Sequence, residues 1–217
     1  MDDRQGRLEH AGLFFSLTHL SWTVLISCYQ TFLPEGAILL GITLSSDKTN
    51  ITVMTGDRIA HLVLLSLANT HMDVRVKASN HTFILLALLP CPKFIVKDRA
   101  ICSVLESRIV HLCLNIITEP LKLAARAGWM MSDPCGYSWF CFTALASYIA
   151  DTPEATLIAC IAGKTSHLTM ADYHNFRDPT RQEPRTASTT LTQLFTLASQ
   201  FDPLELSTYT TVPVGYL

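Results

Sequence analysis

The chain has 217 residues, of which 49% are hydrophobic and 16% charged, enough for one domain with a sizeable core or for a domain with a tail. Sixteen Lys and Arg against eighteen Asp and Glu give a formal charge of −2, which argues against a chain that holds nucleic acid through a basic surplus alone. Seven cysteines, at 28, 91, 102, 113, 135, 141 and 160, never form C-x-x-C, so neither a zinc ribbon nor a disulfide framework is signalled, and reduced thiols in a nuclear or cytoplasmic protein are the economical reading.

Residues 11–33 contain no Asp, Glu, Lys or Arg and are long enough to span a bilayer. Both signs of charge precede them in "MDDRQGRLEH", against a signal peptide, and a membrane anchor here is one alternative expectation. Pro34 and Gly36 then mark a turn, and 37–44 is a continuous apolar run suited to a buried strand. Residues 51–54 form a short β-branched piece, "TGDR" at 55–58 a turn, and 60–68 and 82–89 two further strands.

From Asp98 the period changes. Ile101, Val104, Leu105, Ile109, Leu112 and Ile116 recur every three or four residues, with Arg99, Glu106 and Arg108 off the stripe, which predicts an amphipathic helix. Pro120 is expected to kink or end it, a second helical piece runs through "LKLAARA", and Gly128 is a suitable stop. A short strand at 129–131 meets "SDP"; 140–150 is predicted helical, and 155–162 is either strand or helix. Residues 177–190 read as an exposed loop, and 191–200 as a last short helix. The basic groups Lys93, Lys97 and Arg99, and Arg177, Arg181 and Arg185, are expected on solvated loops.

The first charge after the 37–44 strand is Asp47, in "LSSDKTN". Ser, Asp, Thr and Asn are ordinary turn formers; a second acid alongside would give Asp47 a different meaning. Several strands, a long helix and a returning strand that meets Asp133 in "MMSDP" would put Asp47 and Asp133 side by side in an RNase H-like α/β fold. Neighbouring carboxylates repel, so both stay ionised only if cations hold them, and Mg²⁺ takes hard oxygen ligands. In two-metal phosphoryl transfer such a pair holds the ions that activate the attacking oxygen and stabilise the leaving one.

The phrases "LPEGAILLGITLSSDKTNITVMTGDRIAHLVLLSLAN", "LLALLPCPKF", "AGWMMSDPCGYSWFCFTALASYIADTPEATLIA" and "PRTASTTL" resemble, in that order, segments of the Plavaka group of fungal DNA transposases, relatives of CACTA-type cut-and-paste elements. The resemblance covers about residues 32–210. It implies a DDE transposase core: an RNase H-like mixed sheet with flanking helices, Mg²⁺ or Mn²⁺ dependence and transposon-end DNA as substrate. Asp47 matches the first catalytic and metal-binding acid and Asp133 is taken as the second.

The expected organisation is an unmatched apolar segment at 1–31, a core fragment at 32–176 and a linker with a C-terminal tail at 177–217. The third acid is expected beyond Leu217, which predicts a truncated, catalytically incomplete core. Substitutes for it are Asp151, Glu154, Asp172, Asp178, Glu183 and Glu205, of which Asp151 and Glu154 are expected to cap the segment beginning near Pro153. Where relatives carry a Cys-rich metal knuckle, this chain keeps only Cys160 and His167, too few for zinc. His61, His71, His81 and His111 have no ligand spacing and are expected to be structural or on the surface. A second function class is an interaction module, suggested by the apolar composition, that assembles with itself or with a full-length transposase.

Overall fold

The computed structural model describes residues 29–52, 59–161 and 164–200. The candidate anchor up to residue 28, the turn at 55–58 and Glu205 lie outside the described residues. The strands are β1 (Ile38–Asn50), β2 (Ile59–Leu67), β3 (Ile84–Leu89), β4 (Trp129–Ser132) and β5 (Ser138–Ile149). The helices are α1 (Met72–Arg75), α2 (Arg99–Ala127), α3 (Thr152–Ile158) and α4 (Ala187–Gln200), with a 3-10 turn at Ala78–Asn80.

The strands make one mixed five-stranded sheet in the order β3-β2-β1-β5-β4. β1 grows from the apolar run expected at 37–44, whose Leu39, Ile42 and Leu44 are buried. It continues through Asp47 to Asn50, where every residue is exposed. β5 lies parallel to β1, from Ile38 opposite Cys141 to Ser45 opposite Ile149. A parallel neighbour needs a crossover, and the chain between β3 and β4 supplies it as α2. The register slips once: Ile42 faces Leu145 but Thr43 faces Ser147, so Ala146 is an extra residue on β5.

Backbone and side-chain bonds secure these pairings. At the end of β2 the Ala68 N–H donates to Gly41 O at 2.7 Å. Asn69 then extends the ladder with its amide: its Oδ1 accepts from Gly41 N at 2.7 Å and its Nδ2 donates to Leu39 O at 2.9 Å. On one face of the sheet Tyr29, Leu33 and Phe140 pack against Ala37, Leu39 and Phe142. Phe140 and Phe142 meet edge to face, with ring centroids 5.1 Å apart. Across the central pair, Ser147 Oγ donates to Thr43 Oγ1 and Tyr148 Oη to Ser46 Oγ.

Two expectations change. Residues 140–150 form most of β5 rather than a helix: Ala144, Ala146 and Ala150 favour a helix locally, but Phe140, Phe142, Thr143, Tyr148 and Ile149 suit a pleated, half-buried strand. α2 is one continuous helix of 29 residues with Pro120 inside it. Pro120 removes a single N–H at an exposed position, and in the next turn Leu121 O accepts from Thr143 Oγ1 at 2.6 Å. Gly128 closes α2 as expected, with φ of +71° and its N–H on Ala124 O. By length and composition Ile101–Ala127 could also cross a bilayer, a test that long helices packed on sheets pass as well.

The chain divides into two compact units. The first takes the chain up to Ser46, Leu62–Leu88 and Leu114–Ile149, and holds the paired parts of β1 and β5, the hairpin of β4 and β5, and the second half of α2. The other takes Asp47–His61, Leu89–Cys113 and the chain from Ala150 on, and holds α3 and the exposed end of β1.

Candidate functional site at the ends of the parallel strands

Asp133 sits in the turn joining β4 to β5, and the turn consumes its carboxylate. Oδ1 accepts from the backbone N–H groups of Cys135 and Tyr137, both at 2.9 Å, and Oδ2 accepts from Trp139 Nε1 at 3.0 Å. The Trp139 hydrogen bond, with help from those backbone donors, holds the Asp133 carboxyl below its ordinary value. Such a carboxylate stabilises a turn; it offers little to a cation.

The paired register of β1 and β5 runs from Ile38–Cys141 to Ser45–Ile149 and includes neither acid: Asp133 precedes the start of β5 at Ser138, and Asp47 follows Ser45. The expectation that paired the two acids rested on taking 129–131 as the strand beside β1; that place belongs to β5, and 129–132 is the outer hairpin strand.

The acid that follows β5 is Asp151. Asp47 and Asp151 each lie two residues beyond the last paired residues, Ser45 and Ile149. Asp151 is still extended (φ −69°, ψ 168°) and is the N-cap of α3, its Oδ1 accepting from Glu154 N at 2.8 Å. Pro153 falls in the first turn, where its missing N–H costs nothing. Capping by Asp151 is as the sequence suggests.

Asp47 is exposed and accepts from Thr49 Oγ1 at 3.2 Å through Oδ2. Beside it Lys48 bonds Glu106 at 2.5 Å, an exposed pair that commits Glu106 to the lysine. Glu154 turns inward: its Oε1 lies 2.7 Å from Nε2 of His61, with side chains 2% and 10% exposed for the histidine and the glutamate. Among the described residues no three His, Cys, Asp or Glu gather as a metal site. Of the remaining substitutes, Asp172 caps a local turn by accepting from His174 N, and Asp178 and Glu183 are exposed.

His111 and Cys160 approach to 3.3 Å, yet do not form a nucleophile and base. His111 Nε2 is 3.0 Å from Leu157 O, so it carries the hydrogen and cannot take the thiol proton. Burial also pushes the Cys160 thiol up, away from the thiolate a nucleophile needs. The two residues fasten the last turn of α3. In the first unit an apolar cavity of about 400 Å³, walled by Leu40, Ile42, Leu65, Ile84 and Leu121 among others, has no titratable residue in its lining and therefore no acid-base chemistry.

The described geometry is that of a mixed α/β chain whose central strands β1 and β5 are parallel. The chain belongs to the Plavaka transposase family, whose model matches residues 15–214. No curated protein and no solved structure matches it.

Proposed function

We propose that this chain is the catalytic-core part of a DDE-type DNA transposase, built on an RNase H-like sheet, and that Asp47 and Asp151 are the first two acids of its site. The observation that carries this reading is the parallel pairing of β1 and β5, beyond whose last pair, Ser45–Ile149, each segment runs two residues on to an aspartate. The sheet order, with β5 parallel to β1 after a helical crossover, supports the RNase H-like assignment. Membership in the Plavaka family supports transposon-end DNA as substrate, and hence a nuclear place of action.

The donor set fits a divalent cation. Asp47 and Asp151 offer carboxylate oxygens only, both residues are exposed, and water can fill remaining positions around a hard ion. Mg²⁺ or Mn²⁺ bound there would supply charge neutralisation at the scissile phosphate and an activated oxygen nucleophile. Asp47 contributes from a strand end and Asp151 from a helix cap, with one Asp151 oxygen committed to the Glu154 N–H. The third acid of a DDE site has no representative gathered with them among the described residues, and the chain by itself is proposed to bind the ion without completing strand transfer.

Titration of the full chain with Mn²⁺ tests the site. Saturable binding lost in both Asp47→Asn and Asp151→Asn, and retained in Asp133→Asn, is expected; equal binding by the Asp47→Asn, Asp151→Asn double variant and the wild type would sink the assignment.

A second reading, an interaction module that assembles with itself or with a full-length relative, is favoured by the sheet edge. β4 is exposed along its whole length, with Trp129 and Met130 62% and 58% exposed on it and Trp139 of the neighbouring β5 42% exposed. An unpaired edge with apolar side chains is a template for another strand. Co-purification with a full-length Plavaka transposase tests it; absence of any association counts against it.

A further inference from the structure

We propose that the buried His61–Glu154 pair is a positioning device: it fixes the first turn of α3 against β2 and thereby sets where the Asp151 carboxylate stands relative to Asp47. This inference rests on the two-carboxylate reading given above.

Glu154 holds two links at once. Its backbone N–H donates to Asp151 Oδ1 at 2.8 Å, and its side chain meets His61 Nε2 at 2.7 Å. In a helix start with an acid at the third position, that side chain ordinarily returns to the N-cap backbone N–H. One of its oxygens also reaches a residue 93 positions away in sequence. His61 Nε2 donates and the carboxylate accepts, so a shift of His61 or Glu154 is passed to the Asp151 cap through a single residue.

Packing does not do this work. α3 has seven residues and buries none of them fully, and a helix that short is marginal without external contacts. A buried polar pair of this kind adds little net stability, since desolvation offsets most of the attraction, and a well-packed apolar pair would hold the helix as firmly. His61 Nδ1 is moreover buried with no hydrogen-bond partner among the described residues, which costs stability. A directional carboxylate–imidazole bond supplies what an apolar contact lacks: one permitted geometry. Residues that orient metal-binding groups in this way typically change metal affinity about 10–100-fold when lost.

Mn²⁺ binding to the full chain is the test, read beside urea stability. Glu154→Ala and His61→Leu are expected to weaken Mn²⁺ at least about tenfold, while Glu154→Gln and His61→Gln, which keep a hydrogen bond, bind close to wild type. His111→Ala removes the fastening at the other end of α3 and is expected to lower stability with unchanged Mn²⁺ affinity. Should Glu154→Ala fail to fold, Glu154→Asp, which withdraws the carboxylate by one methylene, takes its place with the same expected loss. Wild-type affinity in Glu154→Ala and His61→Leu overturns the positioning role alone. Absence of Mn²⁺ binding by the wild-type chain overturns the two-carboxylate site, and the positioning role with it.

Discussion

The indole Nε1–H of Trp139 donates to the Asp133 carboxylate at 3.0 Å, tying the first turn of β5 to the loop that precedes it. The bond lowers the Asp133 pKa, so its stabilisation is fully present above the ordinary aspartate value of 3.8 and is lost as pH falls through the lower folded value. Wild type and Asp133→Asn are therefore expected to differ in urea midpoint at neutral pH and to converge in strong acid. A constant difference across that range would show that the ionised carboxylate is not the stabilising form.

Gly128 carries a heavier constraint. Its φ is +71°, and a Cβ there would lie 2.5 Å from the Phe140 ring. Gly128→Ala is expected to cost about 2–5 kcal/mol, combining left-handed strain of ~1–2 kcal/mol with overpacking of ~1–3 kcal/mol. Equilibrium urea unfolding measures it; a loss under ~0.5 kcal/mol would mean that the ring swings aside freely.

How much of this was legible in the sequence differs from element to element. The 37–44, 60–68 and 82–89 strands, the long helix and its Gly128 stop follow from hydrophobic period and turn chemistry, as does Asp151 as a cap. β5 does not: its alanines blur the alternation, and its extra residue breaks the two-residue period in the middle. With β5 taken for a helix, Asp133 becomes the acid nearest a strand end and Asp151 only a cap. Asp47 is proposed from wording and spacing, and Asp151 as its partner only from the pairing of β1 with β5. The His61–Glu154 pair joins residues 93 apart in sequence, and neither residue has a spacing motif to reveal it.

Asn69 substitutes for a strand residue beside β1. Asn69→Ala removes the partners of Gly41 N and Leu39 O together and is expected to destabilise by about 1–3 kcal/mol. Amide exchange at Gly41 is the more specific measurement: it should accelerate in the variant, and unchanged protection would show that the side chain adds nothing to the ladder.

The cysteines should divide by surroundings. Cys91 and Cys135 are exposed, whereas burial pushes the Cys141 and Cys160 thiols up. Alkylation of the native chain at pH 8, followed by peptide mass spectrometry, is expected to label Cys91 and Cys135 first and Cys141 and Cys160 last. Early labelling of Cys160 would reopen the case for a reactive thiol beside His111.

The extra residue in β5 has a consequence that reaches past the ladder. Below the slip, β1 residue n faces β5 residue n + 103; above it, n + 104. On the lower offset Asp47 would come level with Ala150, and Asp151 would project from the opposite surface of the sheet. Ala146 thus acts as a spacer in a counting problem: a small, chemically silent side chain, five residues before Asp151, sets which β1 and β5 residues share a face above the slip. Deleting it would keep both acids and change the parity between the strands, so on the proposed reading the meeting of Asp47 and Asp151 depends on the number of residues in a strand as much as on the acids themselves.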